Sequence, residues 1–147
     1  LDTSTMSHHE LKNFVFKNYS AEGKRMKINI VSFGYSFGIP YDADLIIDVR
    51  FLPNPNYVDH LRQKTGKDED VKSYISSTDT YGIFADMLWG LFSFLIPQYE
   101  REGKSYLTIG FGCTGGKHRS VFVAENFSEK CASMGYNVTT IHRDIKR

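Results

Sequence analysis

The sequence predicts a single α/β domain with a mainly parallel sheet flanked by helices. Three observations carry that expectation. Strand-like and helix-like stretches alternate between residues 27 and 142. One strand-like run, LIIDVR (45–50), is apolar until its charged end, as in a buried parallel strand. The chain has 147 residues, 41% hydrophobic and 14% aromatic, which suits one packed unit.

Taken in order, residues 1–24 are polar and fit a linker (Asp2 to Ser7) and a short helix started by Ser7. KINIVSFG (27–34) carries β-branched residues and reads as a strand. GYSFGIPYDAD (34–44) is a loop punctuated by Gly, Pro and Asp, and turn chemistry accounts for Asp42 and Asp44. After the strand at 45–50, FLPNPNY (51–57) is a rigid extended loop shaped by Pro53, Asn54 and Pro55. DEDVKSYIS (68–76) puts acids in a helical first turn. Residues 80–100 form a long helix whose apolar positions nearly encircle the axis, which predicts a largely buried helix with Trp89 in the core. SYLTIGFG (105–112) is a strand. Residues 117–134 form a helix carrying Cys131, with Gly135 placed to stop it. YNVTTIH (136–142) is a last strand, followed by a basic end, RDIKR.

The bulk numbers exclude some classes. Eighteen basic and 17 acidic side chains leave a formal net charge of +1, which announces neither nucleic acid nor an anionic membrane. The two cysteines, Cys113 and Cys131, do not make a disulfide scaffold, and a reduced cytoplasmic setting is expected. No uninterrupted apolar stretch of about 20 residues stands out, so no membrane span is expected. The opening LDTSTMSHHELKNF lacks the basic-then-apolar pattern of a secretory signal and does not begin with Met, which is consistent with a piece of a longer chain. His8 and His9 sit in this segment and read as solvated linker residues rather than a metal pair.

The chemistry-bearing stretch is FGCTGGKHRSV (111–121), where a strand, a glycine-rich turn and a helix start follow one another. Unpaired backbone N–H groups and the helix dipole favour an anion there, and Lys117, His118 and Arg119 add donors and charge. Three known loops can be tested against it. A Walker A loop fails, because position 111 is Phe and position 118 is His. Gly110, Gly112 and Gly115 match the dinucleotide spacing, but the next strand does not end in the required acid. Cys113, Arg119 and Ser120 match C-x5-R-[ST], the loop of cysteine phosphatases. In that reading Cys113 is a thiolate nucleophile, Arg119 holds the phosphoryl group, and Asp48 or Asp44 is the general acid. The residues alone leave three readings open: a non-catalytic phosphate grip, this phosphatase, and a structural turn.

Four segments in order, SFGYSFGIPYDADLIIDVRFLPNPNY (32–57), LRQKTG (61–66), SYLTIGFGCTGGKHRSV (105–121) and HRD (142–144), carry a resemblance to the C-terminal domain of the RapZ/YvcJ family of bacterial proteins. LDTSTMSHHEL resembles the end of that family's N-terminal P-loop domain. The resemblance therefore divides the chain into 1–24, a linker and short helix, and 25–147, a ligand- and RNA-binding domain. It implies a fold resembling a phosphofructokinase subdomain. It also implies regulatory binding rather than catalysis: sensing of an amino-sugar phosphate such as glucosamine-6-phosphate, and a role in an adapter that binds small RNA and presents it to an endoribonuclease. ATP or GTP belongs to the P-loop half, so no cofactor is implied here beyond the sugar phosphate, and self-association is implied as well. The family's sugar-phosphate contacts fall on Thr114, Gly115, His118 and Arg119, with Gly116 in the same loop. A further family contact, a histidine, falls on Asn56, which hydrogen-bonds but cannot become cationic. Asp48, Arg50, Asn54 and Cys113 are candidates for supporting positions, Asp48 and Arg50 as an ion pair with the 113–119 loop or, alternatively, as a hydroxyl or phosphate contact. Lys117, Lys130, Arg143, Lys146 and Arg147 are candidates for RNA backbone contacts.

Overall fold

The computed structural model describes residues 25–147; the helix expected from Ser7, with His8 and His9, lies outside them. Four strands form one sheet: β1 (Lys27–Gly34), β2 (Leu45–Asp48), β3 (Tyr106–Cys113) and β4 (Asn137–His142). Three helices complete the frame: α1 (Glu69–Ile75), α2 (Asp79–Arg101) and α3 (Arg119–Ser133). The sheet order is β2-β3-β1-β4, and every pairing is parallel, so the sheet is purely rather than mainly parallel.

The register brings all four carboxyl ends together. Gly34 lies opposite Cys113, Asp48 opposite Gly112, and His142 opposite Ser32. LIIDVR turns out to be an edge strand: it ends at Asp48, and Leu45 to Ile47 are only half buried. Its apolar run reflects one covered face and one neighbouring strand, not burial on both sides.

One sheet face meets the helices. Ile28, Ile30, Leu107, Ile109 and Phe111 are fully buried there, and Phe111, Trp89 and Phe92 all pack against Phe127 of α3. On the other face Phe33 occupies the room left by Gly110 and Gly112: a Cβ at Gly112 would come within 2.5 Å of its ring. Lower on that face Tyr106 and Ile141 are exposed.

The long helix corrects an expectation. α2 buries only one stripe, Leu88, Phe92, Ile96 and Glu100, while Ile83, Met87, Leu91 and Phe94 are exposed. By length and composition alone it is also long and apolar enough to cross a membrane, although Asp86 interrupts its apolar run. In the domain its buried stripe packs against the core instead.

The loops are more structured than their composition suggests. Tyr35–Phe37 and Pro55–Tyr57 form 3-10 turns, and Asn54 accepts a hydrogen bond from the Asn56 N–H at 3.0 Å. Gly66 donates to the Lys117 carbonyl at 3.0 Å, which presses the 61–66 loop onto the start of α3. A Cβ at Gly66 would meet the Phe122 nitrogen at 2.6 Å.

Candidate anion-binding site

Residues 114–118 connect β3 to α3 at the shared carboxyl edge. Glycine is required there. Gly116 has φ +77, a conformation that side-chain-bearing residues avoid, and a Cβ on it would lie 2.8 Å from the Phe33 carbonyl carbon. A Cβ on Gly34 would likewise lie 2.8 Å from the Gly116 nitrogen, so loop and strand touch backbone to backbone. Ser36 N–H also donates to the Thr114 carbonyl at 3.1 Å. α3 begins after His118 with no side-chain cap, leaving its first N–H groups for another acceptor.

Cys113 closes this loop on itself. Its Sγ accepts from the Gly116 N–H at 3.3 Å, shares a 3.1 Å hydrogen bond with Ser120 Oγ, and the residue is 3% exposed. Arg119 is also buried. Its Nη1 donates to the carbonyls of Arg50 (2.5 Å) and Leu52 (3.3 Å), and its Nη2 reaches Thr114 Oγ1 at 3.4 Å. Part of its donor fork thus holds the 50–52 loop rather than standing free for a ligand. Asp48 and Arg50 pair mainly with each other, through Nη2–Oδ2 at 2.7 Å and two bonds from Nε, and not with the 113–119 loop as expected. Arg50 lies 4.0 Å from the Tyr35 ring centre. The hydrogen bonds from Arg50 hold the Asp48 carboxyl below its ordinary range. A general acid working near neutral pH needs the opposite shift.

A cavity of about 370 Å³ opens at this edge. It is lined by Thr114, Gly115, Lys117, His118 and Arg119 from the loop and helix start, and by Asn54, Asn56 and Tyr57 from the 3-10 turn. Cys113, Phe37 and Arg147 complete the lining, which contains no acidic side chain. Gly116 is absent from it because it faces β1. His118 is 7% exposed, and its Nε2 is the one buried side-chain polar atom among the described residues with no hydrogen-bond partner. Burial pushes its imidazole below the ordinary histidine value, although the nearby backbone of Arg62, Lys64 and Leu61 favours the proton.

The RNA candidates are dispersed. Lys117 and Arg147 line the cavity, Lys146 is exposed, and Lys130 sits over Trp89 in a separate groove between α2 and α3. Arg143 is structural: it binds the Asp144 carboxylate at 2.8 Å and donates to the Gly38 carbonyl at 2.6 Å. Asp144 itself is 1% exposed and accepts from the Gly34 N–H at 2.8 Å, which pins the end of β1 to the turn after β4. Sequence reading missed Phe37 and Tyr57, whose only signal was an aromatic in each flanking loop. It placed Arg147 with the RNA contacts, because 28 positions separate it from Arg119 and only the pairing of β3 and β4 on either side of β1 brings them together.

A family profile described as the RapZ C-terminal domain matches residues 26–146. A nucleotide-binding protein of Caldicellulosiruptor saccharolyticus is 48% identical over 149 residues, and one of Heliobacterium modesticaldum is 47% identical. A third, from Halalkalibacterium halodurans, is 47% identical over 148 residues. Each similarity covers all of this chain but only 51%, 50% and 50% of the relative, so the chain spans about half the length of the curated relatives it matches.

Proposed function

The chain belongs to the RapZ C-terminal domain family, and from that premise we propose that it is a regulatory domain holding a phosphorylated sugar at the 114–119 loop. One observation carries the reading: the cavity gathers Lys117, His118, Arg119 and Arg147 and is lined by no acidic side chain. That charge pattern suits a phosphate ester. The uncapped start of α3 supplies backbone donors beside it. The exposed Asn56 and the half-buried Asn54 line the same cavity and offer partners to sugar hydroxyls or an ammonium group, which keeps an amino-sugar phosphate such as glucosamine-6-phosphate as the proposed ligand. The family resemblance extends the proposal to an adapter that passes ligand state to a small RNA and an endoribonuclease. Self-association is proposed through the exposed apolar stripe of α2. A reduced, cytoplasmic setting fits the two free buried cysteines.

The phosphatase reading is the weaker one. Cys113 is buried and bonded into its own loop, and Asp48 is held as an ionised partner of Arg50.

Calorimetric titration at low salt tests the proposal, with glucosamine-6-phosphate, glucose-6-phosphate and inorganic phosphate as ligands. Binding is expected, and Lys117→Ala should weaken it roughly tenfold, the worth of one charged hydrogen bond. Cys113→Ser should leave binding nearly intact. Turnover of an aryl phosphate that Cys113→Ser abolishes would reverse the choice, and silence with all three ligands would end the sugar-phosphate assignment.

A further inference from the structure

The three permanent cations that line the cavity differ in what holds them. Arg119 is 5% exposed and shares its fork with the carbonyls of Arg50 and Leu52. Lys117 is a point charge on a flexible stem and makes no hydrogen bond through its ammonium to any described residue. Arg147 combines a fixed root with free donors. Its Nε donates to Asp144 Oδ1 at 2.8 Å, and its guanidinium carbon lies 4.5 Å from the Phe37 ring centre. Among the described residues, neither of its Nη atoms makes a hydrogen bond. The side chain is 55% exposed, at the mouth of the cavity.

Asp144 makes this placement firm. Its carboxylate is buried and already accepts from the Gly34 N–H and from Arg143, so it does not swing with Arg147. Gly34 is in turn pressed against Gly115 and Gly116 of the loop. One carboxylate therefore references the Arg147 fork to the backbone that would cradle the anion. A guanidinium fixed at Nε, with both Nη groups presented, is already organised for a two-point contact with phosphate oxygens.

We propose that Arg147 is the second anion-gripping arm of this site, closing on the outward oxygens of a phosphate seated on the 114–119 loop, and that Asp144 is the residue that positions it. This rests on the sugar-phosphate reading and deepens it. The basic turn after β4 becomes part of the ligand site, and a nucleic-acid phosphate could use Arg147 only by giving up that contact.

The test is titration of this chain with glucosamine-6-phosphate at low salt, comparing wild type, Arg147→Ala, Arg147→Lys, Arg147→Glu and Lys117→Ala. Arg147→Ala should weaken binding about tenfold, Arg147→Lys should recover part of that loss, and Arg147→Glu should lose more. The unliganded melting temperature should move little in any Arg147 variant, because the side chain is largely solvated. Wild-type affinity in Arg147→Ala alongside weakened binding in Lys117→Ala would overturn the inference and leave the sugar-phosphate reading standing. An equal loss in all three Arg147 variants, with a lowered melting temperature, would also overturn it, by showing that the side chain only holds the turn. No binding by wild type would remove both.

Discussion

At His118, packing and ligand chemistry pull in opposite directions. Burial, the largest effect, disfavours the imidazolium, and Lys117 adds to that, so the folded ring protonates below the ordinary value of 6.5. The sign for stability follows. The unfolded chain takes up this proton first, so the contribution of His118 is whole above pH 6.5 and is lost as pH falls toward the depressed folded value. An anion in the same cavity acts the other way by stabilising the charged ring. The imidazole titration of His118, followed by NMR, should therefore shift upward when inorganic phosphate is added; an unchanged midpoint would place the anion out of reach of the ring. The residues of this site were legible in the sequence to different depths. Thr114, Gly115, Lys117, His118 and Arg119 lie in one eight-residue stretch whose composition states its chemistry. Asn56 came from the family resemblance, and Asn54 from the turn chemistry of its proline-rich loop. Phe37 and Tyr57 are marked only as loop aromatics and Arg147 only as part of a basic end, because which loops share a cavity depends on how the sheet brings them together.

At the scale of the element, α2 is where composition misleads. A helix apolar all round reads as buried, yet only the Leu88, Phe92 and Ile96 side packs on the domain. Hydrophobicity records that a surface is to be covered and is silent on whether this chain or another covers it. The two sides should respond differently. Phe92→Ala removes a ring packed on Phe127 and should cost about 3–5 kcal/mol in chemical unfolding. Phe94→Ser, on the exposed side, should leave stability within about 0.5 kcal/mol and should lower the mass seen by sedimentation at high protein concentration. Loss of stability in Phe94→Ser would mean that this side is packed within the chain. The other elements were legible within about two residues, since alternating strands and glycine-bounded helices are local patterns. That β2 is an edge was not legible, because strand order follows from contacts far apart in sequence.

At the scale of the whole molecule, Asp144 ties three distant pieces together: the end of β1, the turn after β4, and the arginine at the cavity mouth. Burial opposes its ionisation, but the bonds from Arg143, the Gly34 N–H and Arg147 outweigh that and hold it below the ordinary 3.8. Its contribution is therefore present above pH 3.8 and is lost as pH falls through the folded value. Asp144→Asn should lower stability at neutral pH and flatten the acid limb of an unfolding-free-energy profile below about pH 4. An acid limb as steep as that of wild type would assign the acid sensitivity to Asp44 or Asp48 instead.

The backbone contact between Gly34 and the 115–116 peptide has a consequence for how this protein can change. Most packed pairs can trade volume, one side growing as the other shrinks, and sequences drift along such exchanges. Here both partners already have no side chain. A methyl group gained on Gly34 or Gly116 has no counterpart to give up on the other, so the pair offers no compensating step, and a lineage that alters either of these two glycines must rebuild the loop or abandon the site.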